Sequence, residues 1–442
     1  MQCELVIRTQ RQTTRYRLGH NTKGDARLRG CTVHTNTTSN SILAITKGLF
    51  IMPTMEHIIL AASNLAVAVL ASSLHARAPD AWSDYTKNGV FFPSRDAESW
   101  RTVYARSLQL PDDSLLLSWE DYTPDLELTS WPIQRSTDGG ATFSPLSRVE
   151  DTAHGVGNWY QPFLYSLPED FGGYAAGTIL TSGATTPKNL SEAWITLYAS
   201  TDQGVTWEHV SDIVYGPGPE TITNGDKAVW EPYLMMYEGN LICYYSSQVD
   251  PEHAQKLVYK STSDLKTWSD EVDIVAEPNY SARPGMAVVA HSEDSGKYVM
   301  TYEYCGAPEG GCPVYYKAAQ NPLEFQSVQG LPLVPGGNAA SGPYVIWTRD
   351  YNGDGIFIAS ATSREELFLN TDSVDPNGWK PVDVGQWAAY SRSLRVVASP
   401  DESIPGGKRK LFIANGGNIG CADDCYNYVA DALVDIPSCP RQ

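Results

Sequence analysis

The stretch E-P-Y-L-M-M-Y-E-G-N-L-I-C-Y-Y-S-S, from Glu231 to Ser247, is the clearest copy of a unit that recurs along the chain. A polar residue opens a short apolar strand, a turn rich in Gly, Asp or Pro follows, and a second apolar strand ends in polar or aromatic residues. Six copies, spaced 55, 70, 52, 59 and 50 residues apart, begin at Arg106, Gln161, Glu231, Arg283, Gly342 and Arg392. More strand-like sequence follows each hairpin, so the sequence predicts an all-β, six-bladed β-propeller with four strands per blade.

A second pattern lies between the hairpins, in R-S-T-D-G-G-A-T-F (135–143), A-S-T-D-Q-G-V-T-W (199–207) and K-S-T-S-D-L-K-T-W (260–268). These segments resemble the Asp-box (BNR-like) repeat, S-x-D-x-G-x-T-W, of sialidase-like propellers, although the third lacks the Gly. In such a turn the Asp accepts backbone N–H groups and the aromatic residue fills the space between sheets. We therefore interpret these Asp residues as structural rather than catalytic.

Residues 1–78 differ from the rest of the chain. An apolar run from Ile58 to Leu74 ends in Ala76-Arg77-Ala78, a small-x-small site of the kind that signal peptidase cleaves. We predict a leader over 1–78, with a signal peptide at 52–78 and with 1–51 an upstream extension if translation starts at Met52 or Met55. A membrane anchor is the alternative interpretation of the run. The catalytic domain would then span 79–442 in a secreted, extracellular protein.

The net charge narrows the classes of partner. The leader holds nine Lys/Arg and three Asp/Glu, so the net charge of −19 divides into +6 for residues 1–78 and −25 for the rest. Such a surface repels nucleic acid and anionic membranes. It suits a neutral polymer as a partner, and we expect a monomer that needs no cofactor.

Six of the eight cysteines follow the leader, and in an exported protein they can form disulfides. Cys305 and Cys312 flank the Gly-rich loop C-G-A-P-E-G-G-C, which makes them the expected pair. Cys421, Cys425 and Cys439 can hold one more bridge; a zinc site there is disfavoured because no His lies nearby. The sequence therefore indicates no bound metal.

Two glutamates stand out from the repeat. In a propeller blade the first strand leaves the functional face beside the axis and the second returns to it, so Glu231 and Glu303 are expected on one face of adjacent blades. Glycosidic cleavage needs such a pair, one carboxyl to protonate the leaving oxygen and one carboxylate to attack or to activate water. The alternative is that each Glu only satisfies backbone groups at a strand end.

The segment from W-E-P-Y-L (230–234) through Y-S-A-R-P-G-M-A-V-V-A (280–290) to Y-V-M-T-Y-E-Y (298–304) resembles glycoside hydrolase family 93. The resemblance covers 80–442 and implies a secreted, retaining exo-α-1,5-L-arabinanase that releases arabinobiose from arabinan. It also implies that Glu231 and Glu303 are catalytic. From their surroundings we favour Glu231 as nucleophile and Glu303, between Tyr302 and Tyr304, as acid/base with a raised pKa.

Other residues near hairpin starts and ends are candidates for supporting roles. Tyr390 could hydrogen-bond a catalytic carboxylate. The candidates for substrate binding are Arg106, Trp119, Trp159, Tyr160, Gln161, Trp230, Asp250, His253, Arg283 and Arg392. Structural alternatives stay open for several of them: salt bridges for the arginines, core packing for the tryptophans, and a purely structural role for His253.

Two other functions compete with this interpretation. Three arginines on one face would suit the carboxylate of a sialidase substrate, but the first repeat reads Y-A-R-S where sialidases carry an R-I-P type motif. A secreted lectin-like propeller would bind sugars without hydrolysing them.

Overall fold

The structure, a computed structural model, describes residues 4–9, 12–17, 78–94, 101–122, 126–218, 227–400, 408–419 and 427–439. The chain divides into two compact units, Met1–His75 and Ala76–Gln442. In the first unit β1 (Glu4–Thr9) pairs with β2 (Gln12–Arg17) as an antiparallel hairpin. The predicted signal peptide lies almost wholly outside the described residues, so the leader and its cleavage stay a prediction.

The second unit consists of six antiparallel four-stranded sheets, which confirms the predicted six-bladed propeller. Blade 1 consists of β4 (Thr102–Gln109), β5 (Leu115–Asp121), β6 (Trp131–Ser136) and β7 (Ser144–Val149). Blade 2 consists of β8 (Asn158–Ser166), β9 (Ile179–Thr185), β10 (Ala193–Ser200) and β11 (Glu208–Gly216). Blade 3 consists of β12 (Val229–Tyr237), β13 (Asn240–Ser247), β14 (Lys256–Thr262) and β15 (Val272–Val275). Blade 4 consists of β16 (Arg283–His291), β17 (Tyr298–Cys305), β18 (Val314–Ala319) and β19 (Leu331–Pro332). Blade 5 consists of β20 (Tyr344–Arg349), β21 (Gly355–Ser360), β22 (Leu367–Thr371) and β23 (Lys380–Val382). Blade 6 consists of β24 (Ser393–Ser399), β25 (Lys408–Asn415), β26 (Val429–Asp435) and β3 (Tyr85–Phe91).

Strand β3 closes the ring, a feature that the repeat did not predict. It comes before blade 1 in sequence but forms the outer strand of blade 6, where Phe91 lies opposite Val429 and Tyr85 opposite Leu433. Backbone hydrogen bonds therefore join the two ends of the propeller and leave no open seam between the first and last blades.

The Asp-box turns have the predicted structural role. Asp202 accepts the backbone N–H of Thr206 at 2.9 Å, and the indole N–H of Trp207 donates to Ser147 of the preceding blade at 3.1 Å. In the third turn the chain is one residue shorter, and Leu265 adopts the positive φ (64°) of the missing Gly. Its N–H donates to Thr262 at 2.9 Å, as Gly204 donates to Ser200 at 2.8 Å. The turn is therefore kept without its glycine.

The core lies between neighbouring blades rather than at the axis. Blades 2 and 3, for example, bury Phe163, Leu197, Leu234 and Tyr245 against each other. Within the described part of the chain the helical elements are two short 3-10 segments, Phe325–Ser327 and Pro335–Gly337. No helix among those residues is both long and apolar enough to span a bilayer.

Candidate active site

The inner strands of blades 1 to 4 share one irregularity near their starts. Each carries a bulge residue at positive φ, and the pairing with the second strand shifts register there. The bulge residues are Tyr104 (58°), Gln161 (50°), Glu231 (62°) and Met286 (60°). A side chain at positive φ costs about 1–3 kcal/mol, and such bulges commonly re-aim side chains at functional sites. The four bulges therefore mark one mouth around the axis.

Glu231 is held firmly in its bulge. It is only 6% exposed, and its Oε2 accepts the Ser246 hydroxyl at 2.6 Å and the backbone N–H of Met286 at 2.9 Å. Burial, and then the charge of Glu303, raise the pKa of Glu231, although both hydrogen bonds and Arg283 act in the opposite direction. Both described bonds use Oε2, so Oε1 is the oxygen available to react.

Glu303 stands at the end of β17 and is partly exposed. Its Oε2 accepts the Ser341 hydroxyl at 2.9 Å and the backbone N–H of Gly342 at 3.1 Å, at the entrance to blade 5. Burial raises its pKa. The sequence predicts that Tyr302 and Tyr304 raise this pKa, but adjacent residues of a strand point to opposite faces, so neither ring lies on the side of the Glu303 carboxyl group. Both tyrosines pack into the core between blades 3 and 4.

Gly285 is the link between the two carboxylates. It lies directly opposite Glu303 in the β16–β17 pair. A Cβ at Gly285 would lie 3.1 Å from Oε2 of Glu231 and 2.8 Å from Nε2 of Gln255. The Glu231 carboxylate thus lies beside Gly285, the residue that pairs with Glu303. The structure brings the two glutamates to one mouth, where one can hold a proton while the other is ionised.

A third carboxylate, Glu120, lies at the same mouth, and the sequence assigned it no role. Glu120 lies near the end of β5 opposite Val103, just as Glu303 lies near the end of β17 opposite Gly285, and each partner directly precedes a bulge residue. It is 3% exposed and accepts the backbone N–H of Gln161 at 3.0 Å and the Tyr122 hydroxyl at 2.9 Å. Aligning the repeats on the bulge rather than on the first polar residue would have identified it.

Tyr390 and Arg283 lie close to the carboxylate pair. The Tyr390 hydroxyl contacts the sulfur of Met286 at 3.3 Å rather than a carboxylate, and burial and the nearby Glu303 and Glu231 raise its pKa. Arg283 donates to Gln255 at 3.1 Å, and its charge lowers the pKa of both glutamates. Arg283 is thus the cation that favours the ionised forms.

One side of the mouth is an aromatic wall formed by Trp159 and Tyr160, which pack on the buried ring of Tyr122. The Trp159 and Tyr160 rings stack at 5.3 Å with an interplanar angle of 13°, and both are partly exposed. Gln161 follows directly, with its backbone N–H on Glu120. Partly exposed rings beside polar groups are typical of sugar-binding surfaces, because the ring faces stack on the apolar faces of sugars.

Four predicted substrate contacts need correction. Arg392 is fully buried and donates to four backbone carbonyl groups, those of Arg364, Glu365, Glu366 and Trp387. Arg106 lies two residues beyond the bulge, 2% exposed, where it donates to Ser391 and stacks on Tyr104 at 3.8 Å. These two arginines support the mouth from below instead of lining it.

The tryptophans Trp119 and Trp230 are likewise buried. Trp119 is 1% exposed and packs on Phe91 with ring centroids 4.9 Å apart, so it is a core residue. Trp230 is 7% exposed and donates its indole N–H to Gln255 at 3.1 Å, beneath Arg283. It positions the Gln255–Arg283 pair and does not offer a face for sugar stacking.

Asp250 and His253 form a loop network of their own. Asp250 contacts Lys256 at 2.7 Å and His253 at 3.3 Å, and Lys256 also contacts Asp273 at 2.8 Å. The hydrogen bond from Lys256 lowers the pKa of Asp250 to about 2. Their described bonds hold the loop, and none of these bonds reaches either catalytic candidate.

The cysteines near the site are in part bridged. Cys305, two residues after Glu303, forms a disulfide with Cys312. Cys243 is a fully buried free thiol. Cys421 and Cys425 lie outside the described residues.

A large cavity of about 430 Å³ lies elsewhere, farther along the inner strands of all six blades. Tyr165, Tyr233, Tyr344, Trp347 and Arg395 line it, whereas Glu231 and Glu303 do not. We place the site at the carboxylates because glycosidic chemistry requires them and the cavity offers no carboxylate pair.

Comparisons with known proteins agree with this geometry. A scan against models of protein families finds no match, and neither does a search of curated proteins. Among solved structures, an α-L-arabinanase of Penicillium chrysogenum complexed with arabinobiose is 38% identical, with a TM-score of 0.74 over 80% of this chain and 98% of that one. An α-L-arabinofuranosidase of Fusarium graminearum, solved with an iminosugar inhibitor, is 39% identical with the same coverages and TM-score.

Two further structures separate family from fold. The Fusarium graminearum enzyme in complex with arabinobiose, described as a member of glycoside hydrolase family 93, is 38% identical over the same 80% and 98%, with a TM-score of 0.74. A Hadza microbial sialidase is only 14% identical over 78% of this chain and 68% of its own, with a TM-score of 0.51, so that likeness concerns the fold alone. With 38–39% identity along almost the whole length of these enzymes, the chain belongs to glycoside hydrolase family 93.

Proposed function

We propose that this protein is an exo-acting glycoside hydrolase that cleaves α-1,5-linked L-arabinan from chain ends, releases arabinobiose and retains the anomeric configuration. The observation that carries the proposal is the Glu231–Glu303 pair, two carboxyl groups with raised pKa values on neighbouring blades at one mouth. Two of the related enzymes are complexed with arabinobiose, which supports this disaccharide as product.

In the proposed reaction Glu231 is the nucleophile. Its bulge, the Ser246 hydroxyl and the Met286 N–H fix one oxygen, which leaves the other to attack the anomeric carbon. Glu303 is the acid/base. It is partly exposed, so after protonating the leaving oxygen it can activate the water that hydrolyses the glycosyl–enzyme bond. The partly exposed rings of Trp159 and Tyr160 in the aromatic wall would bind the sugar rings beside this pair.

The sialidase alternative loses its main support. It required three arginines to bind a substrate carboxylate, but the guanidinium groups of Arg106 and Arg392 are engaged with Ser391 and with backbone carbonyls. Only Arg283 of the three lies at the mouth. A lectin-like function does not require two carboxyl groups with raised pKa values, whereas Glu231 and Glu303 both have them.

We propose in addition that the protein is exported and acts as a monomer. The Cys305–Cys312 disulfide supports export, because such bonds persist in oxidising compartments. The polymer substrate and the acidic surface are consistent with an extracellular enzyme.

The decisive experiment is a product profile. Purified protein is incubated with linear arabinan, debranched arabinan and a fluorescent sialic-acid conjugate, and the products are separated by anion-exchange chromatography. We expect arabinobiose to accumulate from the first minutes on linear arabinan, without intermediate oligomers, and no release from the sialic-acid conjugate. A ladder of oligomers would contradict the exo mode, and sialic-acid release would favour the alternative enzyme. Binding of arabinan without any product would indicate a lectin.

A further inference from the structure

Away from the mouth, three potential metal ligands converge at the outer edge of blade 2. His154 lies in the connection from blade 1 to blade 2, and His209 and Asp212 lie on the outer strand β11. Nε2 of His154 and Nε2 of His209 are each 3.0 Å from Oδ1 of Asp212. The three ligand atoms all lie within 4.8 Å of one another. None of the family relationships or the carboxylate chemistry accounts for this group.

Aromatic packing orients both imidazole rings. His154 stacks on Trp194 with ring centroids 4.3 Å apart and an interplanar angle of 16°. His209 meets Tyr198 edge-on at 5.4 Å. The backbone N–H of His154 also donates to Asp151 at 2.9 Å, which fixes the loop that carries it. The two nitrogens are therefore directed at one point before any ligand binds, which lowers the entropic cost of binding.

We propose that His154, His209 and Asp212 bind a divalent transition-metal cation of the Zn²⁺ class, with water completing the coordination. Ligands about 2.0–2.2 Å from a tetrahedral Zn²⁺ lie about 3.3 Å from one another, so the two nitrogen–oxygen spacings of 3.0 Å need only small shifts. Two imidazole nitrogens and one carboxylate oxygen suit Zn²⁺, Ni²⁺ or Cu²⁺. Ca²⁺ and Mg²⁺ are disfavoured because they prefer oxygen ligands.

The position of the site predicts how a bound metal would affect the structure. The 150–157 connection leads directly to Asn158, and from there to Trp159, Tyr160 and Gln161 at the mouth. A metal bound by His154 on one side and by His209 and Asp212 on the other would tie this connection to the outer strand β11. The cation would thus stabilise the path of the chain into the aromatic wall without touching the substrate.

The competing explanation is that the three side chains bind no metal and are joined by hydrogen bonds alone, with each imidazole donating its Nε2–H to Asp212. The two cases differ in whether the purified protein binds one equivalent of metal. Full-length protein is stripped with a chelator, dialysed and titrated with ZnCl₂ in a calorimeter. CoCl₂ is titrated in parallel, since its visible absorption reports imidazole ligation. We expect one saturable site, with affinity at least ten-fold weaker in His209→Gln and in Asp212→Asn.

The matched control is His291→Gln, which removes an exposed histidine on blade 4 that stacks on Tyr298. It should bind the metal as the wild type does. If the blade 2 variants fail to fold, the wild type alone decides by diethyl pyrocarbonate labelling: metal should protect His154 and His209 but not His291. Absence of saturable binding would overturn the proposal. So would unchanged affinity in both blade 2 variants, or labelling of His154 and His209 that metal does not alter.

Discussion

The carboxylate of Glu231 accepts the backbone N–H of Met286 at 2.9 Å, so the bulge of blade 3 is hydrogen-bonded directly to the equivalent bulge of blade 4. From the second strands of their blades, Glu120 likewise accepts the backbone N–H of Gln161 in the next blade, and Glu303 accepts that of Gly342 at the entrance to blade 5. Each carboxylate therefore also joins two blades. Because a carboxylate that accepts backbone N–H groups is fixed by the scaffold, catalytic geometry here depends on how the blades pack at the mouth.

Gly285→Ala is predicted to impair catalysis without removing any reactive group. The new methyl group would collide with Gln255 at 2.8 Å and press on Glu231 at 3.1 Å. Both neighbours would have to move, and misplacing a reacting group by about 1 Å can cost about 100-fold in rate. We expect kcat on linear arabino-oligosaccharides to fall by about that factor while the circular dichroism spectrum stays unchanged.

The matched control is Gly355→Ala at the start of β21. A methyl group there would also be crowded, at 2.5 Å from Asp372 and 2.7 Å from Asp294, but far along the blade from the carboxylates. This variant should lose some thermal stability and keep its kcat. Equal losses of activity in both variants would show that crowding of the scaffold in general, and not displacement of Glu231, is responsible.

Much of the fold follows from the period of the hairpins and from the Asp-box turns, because each turn and strand is specified locally. The ring closure by β3 does not, since no local signal tells an N-terminal strand that it pairs with Val429 some 340 residues later. The third Asp-box illustrates the same limit: the sequence lacks the Gly, yet Leu265 adopts the required positive φ. Context there overrides the preference of the residue.

The site was predictable in its carboxylates and not in its supporting residues. Glu231 and Glu303 stand at corresponding ends of repeated strands, which a sequence reveals. Arg106 and Arg392 also stand near strand starts, but a register difference of two residues turns Arg106 beneath the mouth towards Ser391. Bulges cause these differences, and they are set by pairing with the neighbouring strand.

Arg283 is predicted to set the pH range of activity. Its charge lowers the pKa of both glutamates, so Arg283→Met should raise both values and delay ionisation of the nucleophile until higher pH. The acid limb of the kcat/KM profile should move up by about one pH unit. Arg283→Lys, which keeps the charge, should move it less. The control Arg349→Met removes an exposed arginine paired with Asp294 and should leave the limb in place. An unmoved limb in Arg283→Met would contradict this role.

Glu231 is predicted to destabilise the folded protein as the pH rises. Its folded pKa lies above the ordinary carboxyl value, so the unfolded chain releases this proton at lower pH than the folded chain does. The stability that the protonated Glu231 carboxyl group contributes is therefore fully present below the ordinary pKa of about 4.3, and it is lost as the pH rises towards the pKa of the folded protein. Glu231→Gln cannot ionise, and its amide oxygen can still accept from Ser246 and Met286.

The measurement is the melting temperature of both proteins between pH 4 and pH 8. Glu231→Gln should match the wild type near pH 4 and melt a few degrees higher near pH 8. Glu293→Gln, on an exposed turn of blade 4, should show no such trend. A difference between Glu231→Gln and the wild type that is constant across this range would mean that the pKa of Glu231 is not raised in the folded state.

The paired mechanism makes the strongest prediction. Glu231→Ala and Glu303→Ala should each lower kcat on arabinan by at least about 1,000-fold, whereas Glu293→Ala should leave it unchanged. We expect the two carboxyl groups to lie about 5–6 Å apart, the retaining separation, since an inverting pair needs about 6.5–9.5 Å to admit a water. A crystal structure with the groups more than about 10 Å apart would exclude both mechanisms.

Azide then distinguishes the two roles on an arabinoside with a good leaving group. In Glu231→Ala the anion can enter the space of the missing nucleophile and attack the anomeric carbon once, which inverts its configuration. In Glu303→Ala the nucleophile is intact, and the activated leaving group departs without acid, so azide attacks the glycosyl–enzyme and the product keeps the original anomer. Proton NMR of the glycosyl azide reports the configuration directly. The reverse pattern would exchange the roles of Glu231 and Glu303, and rescue of neither variant would argue that the carboxylates do not act on the anomeric carbon.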